Sequence, residues 1–204
     1  MELRNTELSE FTALIASPAP APGGGGASAA AAAIGIALGD MVGELTVGKK
    51  KYKDVEEEIK ALMEKAQSLR IRLLELVDED GTNFEPLSRA YGIPKDDPGR
   101  DAELERCLKL AVSAPLELFD ICCEALEILH SFAVKGSKLV ISDAATGAAI
   151  CRGALCGAAV NVKVNTKLMK DRAYAEELNA HIDKQLPECC KLADEVFNLV
   201  YSTF

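Results

Sequence analysis

Hydrophobic residues recur along most of the chain at the spacing of an α-helix. The clearest case follows Asp54, where apolar positions advance in alternating steps of four and three residues. These positions are Val55, Ile59, Leu62, Ala66, Leu69, Leu73 and Leu76. Such a stripe predicts a helix that packs one face into a core. Asp54 followed by Glu57 is similar to a capping box, so we predict one long helix around residues 54–90, starting at Asp54.

Apolar segments on either side of this helix predict several more helices. They lie at about residues 3–16, from 27 onward after a run of glycines, and at 101–114, 116–134, 142–159 and 174–201. Pro115 is expected to interrupt or kink the chain, and Ser142 to cap a helix. No stretch alternates with a two-residue period over the length of a strand. The pattern therefore predicts an all-α, single-domain helical bundle of about five to seven helices over residues 1–204.

Composition narrows the class of protein. With 5% aromatic residues and no Trp, the 204-residue chain favours a core of small aliphatic side chains and closely packed helices. A formal charge of -9 argues against a general nucleic-acid-binding surface, which needs an excess of Lys and Arg. The acidic N-terminus is unlike a signal peptide, and Asp40 and Glu44 interrupt the segment that most resembles a membrane span. We therefore expect a cytoplasmic protein that binds neither nucleic acid nor membrane.

The seven cysteines include two adjacent pairs, Cys122-Cys123 and Cys189-Cys190. No C-x-x-C motif occurs, and neither His130 nor His181 lies at a metal-like spacing from a cysteine. We interpret the cysteines as reduced thiols that pack as small hydrophobes in the core, and we predict no metal site.

The stretch PAPAPGGGGASAAA, residues 18–31, has the composition of a linker, because prolines stiffen a chain and glycines loosen it. Only seventeen residues precede it, however, which is too few to form a domain. It also runs directly into an apolar segment. The question is therefore whether this loop connects two parts of the chain or binds something.

Asp80 stands out among the charged residues. The apolar stripe of the long helix continues through Asp80, Phe84 and Leu87, so a carboxylate falls within an apolar seam. Burying an ionised carboxylate is costly unless it is paired or hydrogen-bonded. Asp80 is therefore either satisfied structurally or held for a function. Asp78 lies on another face of the same helix.

Three further polar residues have both a structural and a functional interpretation. Asp143 follows the expected cap Ser142 and could simply complement the positive end of a helix. Asn161 and Asn165 are four residues apart and share a face if the segment is helical, where they could hold a helix terminus. All three are also candidates for binding a polar ligand.

The basic cluster Lys49-Lys50-Lys51-Tyr52-Lys53 is either a solvated patch or a site that attracts an anionic tail. Residues 43–50 nearly match a phosphate-binding P-loop, but Lys50 occupies the position where Ser or Thr would coordinate magnesium. The segment also follows a predicted helix, whereas a P-loop follows a strand. We therefore do not predict a nucleotide site here.

Taken in order, these segments resemble the cyclodeaminase/cyclohydrolase family of folate one-carbon enzymes. The resemblance covers nearly the whole chain, and the order and spacing of the segments make it specific. The segments are Phe11, Pro20 to Gly25, Met41-Val42 through Thr46, Gly48 to Glu56, Asp78-Glu79-Asp80 with Phe84, Ala90-Tyr91 with Pro94-Lys95, Val112 to Leu116, Ser142-Asp143, and Asn161-Val162 with Asn165.

The resemblance implies an all-helical subunit that dimerises and binds folate at or near the subunit interface. It also implies that the Pro-Gly stretch is a ligand-binding loop, in which glycines allow a ligand close to the backbone. The family often carries a hydroxyl residue after the third glycine, where this sequence has Gly26. The substrate-binding residues expected from the resemblance are Pro22, Gly23, Gly24, Gly25, Lys49, Lys50, Lys51, Asp78, Asn161 and Asn165.

Asp80 and Asp143 are the candidate catalytic residues, since a carboxylate can accept the N–H groups of a pterin ring or move protons. The resemblance implies hydrolysis of 5,10-methenyltetrahydrofolate to 10-formyltetrahydrofolate by a cyclohydrolase. A formiminotetrahydrofolate cyclodeaminase, which releases ammonia, is the alternative activity, and a non-catalytic folate-binding helical dimer is the alternative from another class. No cofactor is expected beyond the tetrahydrofolate substrate.

Overall fold

A computed structural model describes residues 2–204 and confirms the predicted all-α fold, with no strand in that range. Over these described residues, two short 3-10 helices, at Leu3–Asn5 and Lys50–Val55, accompany seven α-helices. These are α1 (Leu8–Ile15), α2 (Gly24–Glu44), α3 (Glu56–Ala90), α4 (Arg100–Ala111), α5 (Ser113–Lys135), α6 (Ile141–Leu168) and α7 (Arg172–Tyr201).

Helix α2 packs mainly against α3 and α6, with a smaller contact to α5. Its inward positions carry small or β-branched side chains, including Ala29, Ala32 and Ile36, all of them buried. Small side chains allow helix axes to approach closely, as the composition predicted. By length and composition alone, α2 and α6 could cross a membrane, yet half of each apolar window is buried inside the bundle.

The tightest helix contact joins α2 to α6 through two glycines. A Cβ atom placed on Gly35 would lie 2.5 Å from Cys151 Sγ and 2.9 Å from the Gly147 carbonyl oxygen. A Cβ on Gly147 would lie 2.5 Å from the Gly35 carbonyl oxygen. The two backbones therefore touch directly, which confirms the close approach predicted from the small residues of α2.

Helix α3 has the predicted stripe, with Ile59, Ala66, Leu73 and Leu76 all buried. Its start differs from the prediction, because Val55 is the N-cap residue and makes no side-chain capping bond. Asp54 lies within the preceding 3-10 helix instead. The predicted capping box at Asp54 is therefore wrong, since the 3-10 turn already determines how the chain enters α3.

Three other predicted features near helix ends are also corrected. Residues 3–16 form a 3-10 helix followed by α1, rather than one helix. Ser142 lies inside α6, whose N-cap is Val140 and has no side-chain capping bond. The break between α4 and α5 falls at Val112, and Pro115 lies in the first turn of α5. A proline is tolerated there because first-turn N–H groups have no helical partner.

Candidate active site

A cavity of about 240 Å³ lies between the N-terminus of α2, the C-terminal third of α3 and the C-terminal half of α6. We call it the Asp80 pocket. Its walls combine backbone of the Pro-Gly stretch, one carboxylate, two carboxamides and apolar or aromatic side chains. The lining residues are Pro20, Ala21, Gly23, Gly24, Gly25, Asp80, Gly81, Phe84, Tyr91, Ala111, Pro115, Asn161, Val164, Asn165 and Leu168.

Asp80 is held against the N-terminus of α2. Its Oδ2 atom accepts a hydrogen bond from the Gly26 N–H at 2.9 Å, and the side chain is partly buried. Burial raises the pKa of Asp80 above its ordinary value, and the hydrogen bond from Gly26 opposes that rise without cancelling it. A raised pKa makes this carboxylate a better proton acceptor than an exposed aspartate.

The glycine run makes room for this carboxylate. A Cβ atom on Gly25 would lie 2.6 Å from Asp80 Oδ2 and closer still to Oδ1, so no other residue fits without displacing Asp80. Gly24 faces Asn161, whose Nδ2 atom would lie 3.3 Å from a Cβ at that position. The Pro-Gly stretch is thus part of a pocket wall rather than a spacer between domains.

Asn161 and Asn165 project from successive turns of α6. Each donates its side-chain N–H to a carbonyl one turn earlier, Asn161 to Gly157 at 2.8 Å and Asn165 to Asn161 at 2.9 Å. These bonds use the amide nitrogens and favour one orientation of each carboxamide. The amide oxygens are then available to accept a hydrogen bond from a ligand.

Two aromatic residues of the pocket, Phe84 and Tyr91, were not among the predicted site residues. Phe84 lies one helical turn after Asp80 on α3, and Tyr91, which directly follows α3, lies on the same side about two turns further on. Burial raises the pKa of Tyr91, so its hydroxyl stays protonated over a wide pH range. Extending the α3 stripe beyond Asp80 could have identified both residues.

Asp78 faces a different cavity. Its carboxylate accepts the backbone N–H of Leu3 and lies 3.4 Å from Arg4 Nε, which fastens the N-terminal segment to α3. The neighbouring cavity of about 620 Å³ is lined by Asp78, Glu75, Glu79 and Glu85 together with Arg4. An acidic wall of this kind does not favour the carboxylates of a folate tail.

The lysine cluster and Asp143 lie at the other end of the bundle. Lys49 Nζ donates to Ser137 Oγ at 3.2 Å, so the cluster adjoins the loop between α5 and α6. Asp143 lies in the first turn of α6, and the eighteen residues from there to Asn161 span about 27 Å of helix. Within one subunit, neither the lysines nor Asp143 lines the Asp80 pocket.

Among residues 2–204, no group of three or more His, Cys, Asp or Glu side chains is arranged to hold a metal ion. All seven cysteines are free thiols. Four of them, Cys107, Cys122, Cys123 and Cys151, are buried as the composition suggested, and the other three are partly exposed.

Fold and pocket together define an all-helical enzyme domain whose small polar site is built at a helix N-terminus. The sequence comparison is more specific, because the family described as "Formiminotransferase-cyclodeaminase" matches residues 7–184. The chain therefore belongs to the formiminotransferase-cyclodeaminase family.

Individual relatives agree with this assignment. A methenyltetrahydrofolate cyclohydrolase from Methylorubrum extorquens is 38% identical over 202 residues, which is 97% of both chains. A formimidoyltransferase-cyclodeaminase from Sus scrofa is 31% identical over 76% of this chain, although the match spans only 29% of that protein. Among solved structures, formiminotetrahydrofolate cyclodeaminase from Thermotoga maritima superposes with a TM-score of 0.85 at 28% identity, covering 97% of this chain and 98% of the other.

Proposed function

We propose that this protein is a folate one-carbon enzyme that hydrolyses 5,10-methenyltetrahydrofolate to 10-formyltetrahydrofolate. The observation that carries the proposal is the 38% identity to a methenyltetrahydrofolate cyclohydrolase over 97% of both chains. A match of that length leaves no large segment of either chain unaccounted for. The Asp80 pocket supplies the chemical groups that the reaction needs, and tetrahydrofolate enters as substrate, with no further cofactor required.

The pocket is suited to the bicyclic end of the substrate. Its volume of about 240 Å³ is that of a ring system rather than of a whole folate. Asp80 can accept adjacent N–H donors of a pterin, and Phe84 and Tyr91 offer flat apolar surface beside it. The amide oxygens of Asn161 and Asn165 add acceptors on the opposite wall.

The reaction adds water to the cationic methenyl carbon and then breaks the bond from that carbon to N5. One proton leaves the attacking water, a second leaves as the formyl C=O forms, N5 takes one of them, and one is released to solvent. A carboxyl group with a raised pKa can take the first proton and deliver it to N5. Asp80 is the residue of the pocket that is in position to do so. Asp143 is the second candidate, and it could act only from another subunit.

We further propose that the enzyme is a cytoplasmic homodimer whose sites are shared between subunits. Asp143 lies about 27 Å from Asn161 along α6. Lysines 49–51 follow the end of α2 that is remote from Gly24, so both groups can serve the pocket only from a second copy of the chain. One face of α2 exposes three large apolar side chains, Ile34, Met41 and Leu45, at 52%, 44% and 39%. A stripe of this kind is typical of a surface that a partner covers.

Absorbance of the methenyl compound tests the activity directly. Purified protein is given 5,10-methenyltetrahydrofolate in one assay and 5-formiminotetrahydrofolate in another, each against the spontaneous rate. Accelerated loss in the first assay alone supports the cyclohydrolase. Accelerated appearance in the second would establish the cyclodeaminase, the activity named for the Thermotoga maritima structure. No turnover in either assay, with folate still bound, would identify a binding protein, the alternative suggested by Gly26.

Mixed dimers test the shared site. Asp80→Asn and Asp143→Asn proteins, each inactive alone, are unfolded together and refolded as a mixture. If the two residues meet across the subunit boundary, half of the dimers carry one intact site, and activity returns to about one quarter of the wild-type value. If both residues act within one subunit, or if either single variant is fully active, no such recovery is observed and the shared site is wrong.

A further inference from the structure

Helices α6 and α7 run antiparallel and are joined by a series of paired side chains. The pairs advance along α6 while they retreat along α7, which fixes one register between the helices. They are Arg152 with Asp194 at 3.0 Å, Cys156 with Cys190 at 3.8 Å between sulfurs, and Lys163 with Asp183 at 2.7 Å. A thiol pair thus sits between two ion pairs of the same helix contact.

These two thiols differ from most other cysteines in their access to solvent. Cys156 and Cys190 are partly exposed, whereas Cys107, Cys122 and Cys151 are buried. Cys156 also lines an open cavity of about 420 Å³ between α6 and α7. A small oxidant can therefore reach Cys156, and the partner sulfur is already beside it.

We propose that Cys156 and Cys190 form a thiol pair that a hydroperoxide converts reversibly into a disulfide. The Cys156 sulfur attacks the peroxide O–O bond, which breaks to give a sulfenic acid on Cys156 and releases the corresponding alcohol, or water from hydrogen peroxide. The Cys190 sulfur then attacks the Cys156 sulfur and displaces its hydroxyl, which leaves as water with the Cys190 proton. The two thiols lose two electrons in total, and the peroxide gains them.

The surroundings assign the order of these steps. Burial raises the pKa of Cys190 to about 11, an effect larger than the opposing influence of the nearby Arg152 guanidinium. Cys156 lines the open cavity and so meets the oxidant first. The raised pKa of Cys190 favours its thiol form, and Cys190 reacts second, once its neighbour carries a good leaving group. The Arg152–Asp194 pair is electrostatic only, because the guanidinium N–H is not aimed at the carboxylate.

The adjacent Cys189 does not compete for Cys156, because it faces another helix. Its thiol adjoins that of Cys123 on α5, and burial raises the pKa of Cys123. Successive residues of a helix point about 100° apart, so the two neighbours on α7 serve different contacts. The proposed disulfide is therefore specific to Cys156 and Cys190.

Oxidation would link α6, which carries Asn161 just beyond Cys156, to α7. A crosslink between residues 156 and 190 closes a loop of the unfolded chain and so favours the folded state. We expect the oxidised protein to keep its helical circular dichroism and to melt at a higher temperature than the reduced protein. Reductant should restore the original melting temperature.

The experiment treats the full-length protein with a modest excess of hydrogen peroxide, alkylates the remaining thiols and measures the intact mass. Before alkylation, the expected product is lighter than the reduced protein by the mass of two hydrogens. After alkylation it carries at most five alkyl groups, because two of the seven cysteines are joined, and reductant reverses both changes. Tryptic digestion should join the peptide 153–163, which contains Cys156, to the peptide 185–191. Because the second peptide holds both Cys189 and Cys190, the digestion is repeated on Cys189→Ser, in which the crosslink should persist.

Two variants complete the test. Cys190→Ser should form no crosslink and should instead accumulate added oxygen on Cys156, while Cys107→Ser, a buried cysteine elsewhere, should behave as wild type. The proposal is overturned if wild-type Cys156 is oxidised to the sulfinic level with no crosslink, if the crosslink disappears in Cys189→Ser, or if the disulfide joins two chains. The proposal also requires that Cys156→Ser form no crosslink.

Discussion

Gly25 lies against the carboxylate of Asp80, so that a methyl group on its Cα would approach Asp80 Oδ2 to 2.6 Å. Gly25→Ala must therefore push the carboxylate out of its place at the α2 N-terminus. We expect this change to destabilise the fold by about 1–3 kcal/mol and to lower turnover as well. Urea unfolding and the methenyl absorbance assay measure the two effects.

Gly153→Ala is the matched control for this substitution. Gly153 is also a helical glycine, but a Cβ at that position meets nothing within 4 Å. Replacing an exposed helical glycine by alanine should raise the free energy of unfolding by about 1 kcal/mol and leave turnover unchanged. Equal losses in both variants would show that the carboxylate is not the reason for Gly25.

Asp80→Asn should abolish most of the activity while preserving the fold. The amide oxygen can still accept the Gly26 N–H, but an amide cannot take up and return a proton. We expect kcat to fall by about 100- to 10,000-fold, the usual contribution of a general acid–base. Asp101→Asn, which removes an exposed carboxylate paired with Lys170, serves as the control and should keep full activity. Full turnover by Asp80→Asn would remove Asp80 from the mechanism.

Asp80 also makes stability depend on pH. Because burial raises its pKa in the folded state, the folded protein holds this proton more tightly than the unfolded chain does. Between the ordinary pKa of 3.8 and the raised folded value, the contribution of Asp80 to stability therefore falls as pH rises. The Asp80→Asn variant has no carboxyl group to titrate at this position, so it does not lose stability in this way. The free energy of unfolding of Asp80→Asn minus that of wild type should therefore increase from acid to neutral pH. A constant difference across this range would contradict the raised pKa.

Arg72 joins three acidic residues on the outside of α3 and α5. Its guanidinium contacts Glu117 at 2.6 Å, Glu75 at 3.0 Å and Glu79. The hydrogen bonds to Glu117 and Glu79 raise the pKa of Arg72, and Arg72 in turn lowers the pKa of Glu117. Arg72→Met leaves these carboxylates facing one another, and should cost about 1 kcal/mol after allowance for solvent screening.

Salt and a second arginine distinguish the network from a single ion pair. In 1 M salt the loss caused by Arg72→Met should shrink, because the remaining carboxylates are screened from one another. Arg106→Met removes an exposed arginine that pairs with Glu103 alone, and should have no measurable effect on urea unfolding. An effect of equal size in both variants would show that the network has no special role.

The lysine cluster should affect substrate affinity rather than chemistry. If Lys50 attracts the carboxylates of the folate tail, Lys50→Gln should raise KM by about two- to fivefold and leave kcat unchanged. The effect should be larger for substrates with more tail carboxylates and should diminish as salt is added. An unchanged KM for long-tailed folates would mean that the cluster is a solvated patch.

The periodic pattern predicted most of the fold because long amphipathic helices record their buried face in the sequence. It also singled out Asp80, since one carboxylate within the α3 stripe is a visible exception. The starts of the helices were predicted less accurately from the sequence. Asp54 and Ser142 have capping chemistry, but the 3-10 turn before α3 and the loop before α6 determine where those helices begin.

The arrangement of the site across helices could not be read from periodicity. A stripe tells which residues of one helix share a face, but not which ends of two helices meet. The family resemblance placed Asp80, Asp143 and Lys49 in one expected site, whereas within a single subunit neither Asp143 nor Lys49 lines the Asp80 pocket. Phe84 and Tyr91 could have been predicted as site residues, because their positions continue the same stripe as Asp80.

The contact between Gly35 and Gly147 influences the shape of the Asp80 pocket, although neither glycine lines it. Gly24 and Asn161 adjoin in the pocket wall, and they belong to the same two helices that meet at these glycines about 16 Å away along α2. Two rigid helices in backbone contact at one point cannot separate freely at another. The width of the pocket is therefore determined in part by a remote pair of residues with no side chain, where one added methyl group would push the two helices apart.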